Sequence, residues 1–165
     1  MISERLVKNL NRQMNRELYS AYFYLGMAAY AASIGLKGVE HWFIAQAKEE
    51  EAHAKRFYDY IIRSGGRVHL GAIEEPPQNF SSAIDLFEKT LAYEKKVTGL
   101  IHGLVAAAKD EDDKDTEGFL QWFVKEQVEE EATPNMILQD MRSALAKDGK
   151  EGLAVVDARL ANRKL

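Results

Sequence analysis

Four helical stripes, each apolar except for acidic, histidine or amide residues near its middle, constrain this chain more than any other feature. The inward positions of the first run Leu6, Leu10, Gln13, Glu17, Tyr24 and Ala28, and of the second Val39, Phe43, Gln46, Glu50, His53, Phe57 and Tyr60. The third runs Ile84, Phe87, Leu91, Glu94, Thr98, Ile101 and Val105, and the fourth Leu120, Phe123, Gln127, Glu130, Pro134, Ile137 and Met141. Steps of three and four residues place each set on one helix face, as the seam of a helical bundle requires. A carboxylate on such a seam loses its hydration, at a cost of several kcal/mol unless it is paired or bound to metal. Few Lys or Arg share the stripes. A compensating cation is expected from outside the chain.

With helices over about 3–34, 37–64, 82–110 and 114–147, Glu17, Glu50, Glu94 and Gln127 each lie roughly 12–14 residues from a helix start, a depth of ~18–21 Å. The ligands therefore meet at one level whether a helix runs up or down. Glu50-x-x-His53 and Gln127-x-x-Glu130 each set two side chains on one face, one turn apart. The carboxylates of Glu17, Glu50, Glu94 and Glu130 balance two divalent cations, so the pattern reads as a carboxylate-bridged two-metal site.

Composition narrows the class. At 165 residues, 46% hydrophobic and 29% charged, the chain has the makeup of one soluble domain with a sizeable core. Three prolines and scarce strand-like alternation favour an all-α fold. The absence of cysteine excludes disulfides, iron–sulfur clusters and thiolate metal sites. No apolar run approaches the ~20 residues of a membrane span, and no signal-peptide pattern is visible, so a cytoplasmic location is expected and no membrane partner. The net charge is −4 and the basic residues are dispersed, which leaves no footprint for nucleic acid.

Ser3 is placed to cap the first helix, and Gly35 to Gly38 make a tight turn that sets the first two helices antiparallel. Gly65-Gly66 ends the second helix, and a polar linker through Pro76-Pro77 leads to Ser82, which with Asp85 resembles a capping box. The linker, some 17 residues, reaches about 55 Å when extended, enough to run the length of a helix of about 42 Å. It is expected to be a crossover rather than a hairpin. Acidic residues from Asp110 to Asp115 favour the start of the fourth helix. After Gly149 a short amphipathic segment carries Leu153, Val156 and Leu160 on one face and needs a surface to pack against.

These features bring out a family resemblance. Two helix pairs joined by one long crossover, with inward Glu and Glu-x-x-His, is the ferritin-like pattern, itself a standard example of a helix bundle with a single crossover. The stretches Leu10–Tyr24, Glu49–Tyr58, Gly65–Val68 with Glu74–Pro77, and Phe119–Glu131 resemble bacterial and archaeal non-haem ferritins in order and spacing. The resemblance implies a ferritin-like four-helix bundle over residues 1–147, with one crossover between helices two and three and a short C-terminal helix of the same domain over 150–165. It implies a ferroxidase that binds Fe(II), oxidises it with dioxygen or peroxide and stores ferric mineral inside a homo-oligomeric cage of 24 subunits. Around a symmetry axis of such a cage the fifth helix would find a partner.

By the same resemblance the first iron takes Glu17, Glu50 and His53, the second takes Glu94 and Glu130, and Glu50 bridges. Gln127 stands where many di-iron enzymes have another ligand pair; a neutral amide there weakens half of the site and helps iron leave. Glu49, Glu126 and Glu129, with Glu130, correspond to a third iron site facing the cavity, although a charge run is more commonly a solvated face. Tyr24 is implied to hydrogen-bond to the iron site and to donate an electron, whereas a buried tyrosine satisfied by any neighbour is the commoner case. Trp122 has the same two readings, with packing the commoner. Bacterioferritins carry a haem-ligating methionine beside the second-helix motif; Ala52 stands there, so haem is not expected.

His41, His69 and His102 lack partners at ligand spacing and read as surface or hydrogen-bonded residues. Met14, Met27, Met136 and Met141 read as core filling. Pro134 removes a backbone donor to the Glu130 carbonyl, so a local bend is expected there, with an effect on Glu130 and the third-site glutamates. The alternative function is a rubrerythrin-like oxidase or peroxidase that retains its metals, although such proteins generally add a cysteine-ligated iron domain. Small starvation-type cages place iron between subunits and lack the fifth helix.

Overall fold

The computed structural model describes residues 2–164, and those residues form helices and connections with no strand. Helix α1 spans Glu4–Ser33, α2 Lys37–Arg63, α3 Ala83–Asp110 and α4 Lys114–Leu160. The expected caps are present: Leu6 N donates to Ser3 Oγ at 3.1 Å, Asp85 N to Ser82 Oγ at 3.1 Å, and Thr116 N to Asp113 Oδ1 at 2.9 Å. Contacts Met27–Thr90 and Ser20–Tyr93 make α1 and α3 antiparallel, and Tyr60–Thr116 with Gln46–Glu130 do the same for α2 and α4.

The crossover is threaded along α1 by two asparagines one turn apart. Asn11 Nδ2 donates to Arg67 O at 2.9 Å and its Oδ1 accepts from His69 N at 2.6 Å; Asn15 repeats the pattern with His69 O and Gly71 N, at 2.8 and 2.7 Å. Further on, Pro76 and Pro77 lie against Gly26, and Phe80 packs on Tyr30. The segment thus travels from the start of α1 to its end, which delivers α3 parallel to α2.

The core is in two halves. One holds Leu6, Leu10, Phe57, Ile61, Ile101 and Phe123, the other Met27, Val39, Phe43, Phe87, Leu138 and Met141. Between them, at mid-height, lie the buried polar side chains Gln13, Glu17, Gln46, Glu50, His53, Glu94, Gln127 and Glu130. Met14, Met27 and Met141 fill the core as expected, but Met136 is 59% exposed. It precedes the seam residue Ile137, and the ~100° turn per helical residue carries it off the buried face.

Pro134 is buried, and the backbone stays helical on both sides of it, so Glu130 keeps its place in the polar layer. The break in α4 falls at Gly149, where the fourth helix was expected to end, with a φ of 59° and ψ of −137° that are open mainly to glycine. The segment after it folds back on the chain's own bundle. Val156 and Leu160 are buried, Leu153 packs beside them, and Asp157 Oδ1 accepts from Val39 N at 2.8 Å, capping α2 from a distance in sequence. Gly38 permits this approach, since a Cβ there would lie 1.7 Å from Asp157 O. The fifth helix therefore finds its packing partner within the subunit.

Asn11→Ala removes a buried donor and acceptor together and leaves Arg67 O and His69 N without these partners. A loss of about 1–3 kcal/mol in urea unfolding is expected, with divalent-metal binding retained; an unchanged unfolding midpoint would show that the crossover is held by other contacts.

Candidate metal centre

Each helix delivers its functional side chains to the polar layer from a seam position flanked one or two turns away by core residues, so backbone placement is set by apolar packing above and below. Three groups of ligand atoms lie within 4.8 Å of one another: Glu17, Glu50 and His53; Glu50, Glu94 and Glu130; and His53, Glu126 and Glu130. The groups overlap. Glu50 joins the first to the second, Glu130 joins the second to the third, and His53 joins the first to the third. His53 Nδ1 is 3.3 Å from Glu50 Oε2, while Nε2 faces Glu126 and Glu130 at 3.7 and 4.0 Å.

Burial without compensation controls the electrostatics. Desolvation, then the charge of Glu50, pushes Glu17 up to about 8. Desolvation likewise pushes Glu94 up to about 7, and desolvation followed by Glu94 pushes Glu130 up to about 8. Glu50 is raised well above the ordinary carboxylate range by desolvation and by Glu94 and Glu130. Among the described residues no Lys or Arg is buried. The oxygen-rich donor set with one imidazole fits a hard or borderline divalent cation such as iron.

Carboxamides hold the carboxylates in place. Gln13 Nε2 donates to Glu17 Oε1 at 2.7 Å, and Gln46 Nε2 to Glu130 Oε2 at 2.6 Å and Glu50 Oε1 at 3.3 Å. Gln127 turns its amide nitrogen to Glu94 Oε2 at 3.2 Å and to Thr98 Oγ1 at 3.1 Å, and Thr98 in turn donates to Glu131 at 2.7 Å. The Tyr24 hydroxyl donates to Glu94, and burial raises its pKa well above the ordinary tyrosine value. Trp122 packs edge-on to His53 with ring centroids 5.4 Å apart, and the Arg56 guanidinium lies 3.8 Å from its centroid.

Of the residues singled out in the sequence, Glu17, Glu50, His53, Glu94, Glu126 and Glu130 come together, with Gln127 and Tyr24 bonded to Glu94. Glu49 and Glu129 lie outside the three groups and line an adjoining cleft of about 300 Å³ with Trp42, Gln46, Glu126, Glu130, Thr133 and Arg163. His69 and His102 are exposed, and His41 contacts the Arg163 carbonyl. Sequence reasoning assigned no role to Gln13, Gln46 or Arg163. The first two had a visible signal, a glutamine one turn before each of Glu17 and Glu50 on an apolar seam; Arg163 had none.

A bundle with one long crossover and a mid-height layer of glutamates and histidine defines a carboxylate-centred helical protein. A family model described as the ferritin-like domain matches residues 7–144, and the chain belongs to the ferritin family. It is 37% identical over 163 residues to a bacterial non-heme ferritin of Bacteroides fragilis, covering 99% of this chain and 100% of that one. It is 42% identical to a bacterial non-heme ferritin of Staphylococcus epidermidis over 81% of this chain and 80% of the relative. Among solved structures, an open pore ferritin from the hyperthermophilic archaeon Archaeoglobus fulgidus superimposes with a TM-score of 0.96 at 46% identity, covering 99% of this chain and 100% of that one. An engineered closed form of the same ferritin gives 0.97 at 45%, covering 100% and 99%. No helix among the described residues is long and apolar enough to cross a membrane.

The raised carboxyls make stability depend on pH in a defined direction. Glu17, Glu94 and Glu130 have folded values of about 8, 7 and 8 against a reference of 4.5, so the folded state holds protons that the unfolded state has released. Their stabilising contribution is complete below about pH 4.5 and is lost as pH rises through 7 to 8. The melting temperature of metal-free protein should fall from pH 5.5 to 8.5, and saturating Zn(II) should reverse the fall at the alkaline end. A flat metal-free profile would mean that these carboxylates are compensated from within.

Proposed function

We propose that the chain is an iron-storage ferritin whose ferroxidase centre is the mid-bundle carboxylate layer. Fe(II) is the substrate and the cargo. One iron takes Glu17, Glu50 and His53; the other takes Glu94 and Glu130, with Glu50 bridging. The observation that supports this reading is the sharing of Glu50 between two buried ligand groups, which brings two metal ions close enough to give their electrons to one oxidant molecule, dioxygen or peroxide. Carboxylates stabilise Fe(III) over Fe(II), so the ligand set itself favours oxidation.

The neutral Gln127 beside Glu94 leaves the second position short of an anionic or imidazole ligand, which suits a centre that passes its product on. Glu126, Glu129, Glu130 and Glu49 provide a third position on the outward path. Tyr24, bonded to Glu94, is placed to donate an electron to the centre. Ferric product collects as mineral within a homo-oligomeric cage, for which we take 24 copies in the cytoplasm; the relatives named as ferritins, one of them with an open pore, support a storage assembly.

Anaerobic loading of metal-free protein with Fe(II), followed by air, size exclusion and iron counting, tests the reading. Hundreds of Fe(III) per large particle are expected; two or three per chain with no further uptake would indicate a di-iron enzyme that keeps its metals. Glu50→Ala should slow the fast phase of Fe(II) oxidation in stopped flow by more than the roughly 10–100-fold that loss of an outer-shell partner costs, with helicity retained. Glu129→Ala should slow the turnover of oxidised iron more than the first oxidation, and equal effects on both would remove the third position.

A further inference from the structure

The segment that follows Leu160 is tied to a single face of α2. The Arg163 guanidinium donates to Gln46 Oε1 at 2.8 Å, to Glu49 Oε2 at 2.5 Å and to Trp42 O at 3.2 Å, and it stacks 4.4 Å from the Trp42 ring centroid. His41 Nε2 lies 2.6 Å from the Arg163 carbonyl oxygen. The side chain is 20% exposed and is the one cation among the residues lining the cleft that also holds Glu49, Glu126, Glu129 and Glu130. A planar guanidinium held by a carboxylate, an amide and an aromatic face is a bound cation in every physical sense, supplied by the protein itself.

Gln46 connects this cation to the centre. Its oxygen is taken by Arg163, and its nitrogen faces Glu130 and Glu50. A divalent ion entering the cleft competes with the guanidinium for Glu49 and carries twice its charge at a smaller radius. We propose that Arg163 is a C-terminal latch: a built-in counter-cation that occupies the mouth of the carboxylate centre and is displaced when a divalent metal ion binds among Glu49, Glu126, Glu129 and Glu130. The latch rests on the reading of the centre as a metal site. Because the guanidinium must be expelled each time, the outward position holds metal weakly, and metal leaving it is replaced at once by a tethered cation. Residues 161 and 162 connect Arg163 to the helix after Gly149, so displacement frees this short segment while Asp157 keeps that helix docked on α2.

Zn(II), which does not change oxidation state, is the probe. Metal-free protein is titrated by calorimetry, and hydrogen exchange of the C-terminal peptide is followed by mass spectrometry at each stage. Exchange of the peptide should rise when the weakest Zn(II) site fills. In Glu129→Gln, Arg163 keeps its contacts while the outward position loses a ligand, so filling the remaining sites should leave the peptide protected. In Arg163→Ala the peptide should exchange fast with or without metal, and the weakest Zn(II) site should tighten about tenfold, the order expected when the competing state is deprived of one charge-assisted hydrogen bond. Arg163→Lys should lie between.

Full Zn(II) binding with an unchanged C-terminal peptide, or weaker binding in Arg163→Ala, would overturn the latch while leaving the metal centre intact. Failure of the wild-type protein to bind Zn(II) at all would remove the metal centre and the latch with it.

Discussion

The structure is organised around a buried layer of carboxyl groups to which the described residues bring no buried Lys or Arg. Glu17, Glu50, Glu94 and Glu130 sit between two apolar half-cores, far enough from solvent that burial is the largest cause raising each of them. A protein selected for stability alone would place well-packed apolar residues there. Retaining the carboxylates leaves a region of negative potential that a divalent cation would relieve, so the feature that weakens the fold is the one that suits it to hold a metal. The two half-cores serve the site as much as the fold. They fix four helix backbones at one level and exclude the water that would otherwise screen the charges.

Carboxamides and a phenol solve the problem of positioning anions that repel one another. Gln13, Gln46, Gln127 and Tyr24 each donate to a carboxylate of the layer, so the ligand oxygens are oriented without a competing positive charge inside the site. A lysine or arginine in those places would satisfy the same oxygens and occupy the space the metal needs. The cation that the chain does supply, Arg163, stands at the margin, on a tail that can leave. The division is physical: neutral donors are permanent partners within the layer, and the charged donor is a removable one at its mouth.

Much of this was legible from periodicity. The four stripes bring Glu17, Glu50, His53, Glu94, Gln127 and Glu130 to one buried layer because the 3.6-residue repeat and the rise per residue determine both face and height. The crossover was legible from length, since some 17 residues of polar chain can span a helix and Gly-Gly with Pro-Pro forbids continuing one. Errors arose where a residue lay one step from the seam or where a proline was expected to bend a helix. Met136 shares the composition of the core but not its face, and Pro134 was accommodated without a bend, while the expected end of the fourth helix before Gly149 is where the chain turns.

The sequence by itself determined the helices, their caps, the antiparallel pairing and the level of the polar layer, because those follow from local repeat, capping and chain length. Only the tertiary structure decided what meets across long separations: Asn11 and Asn15 receiving the crossover, Asp157 capping α2, Gln46 reaching Glu130, and Arg163 returning to α2. None of these contacts has a periodic signature. They depend on where Gly149 turns the chain and on how closely Gly38 lets Asp157 approach, which are properties of two backbones in space rather than of either sequence segment.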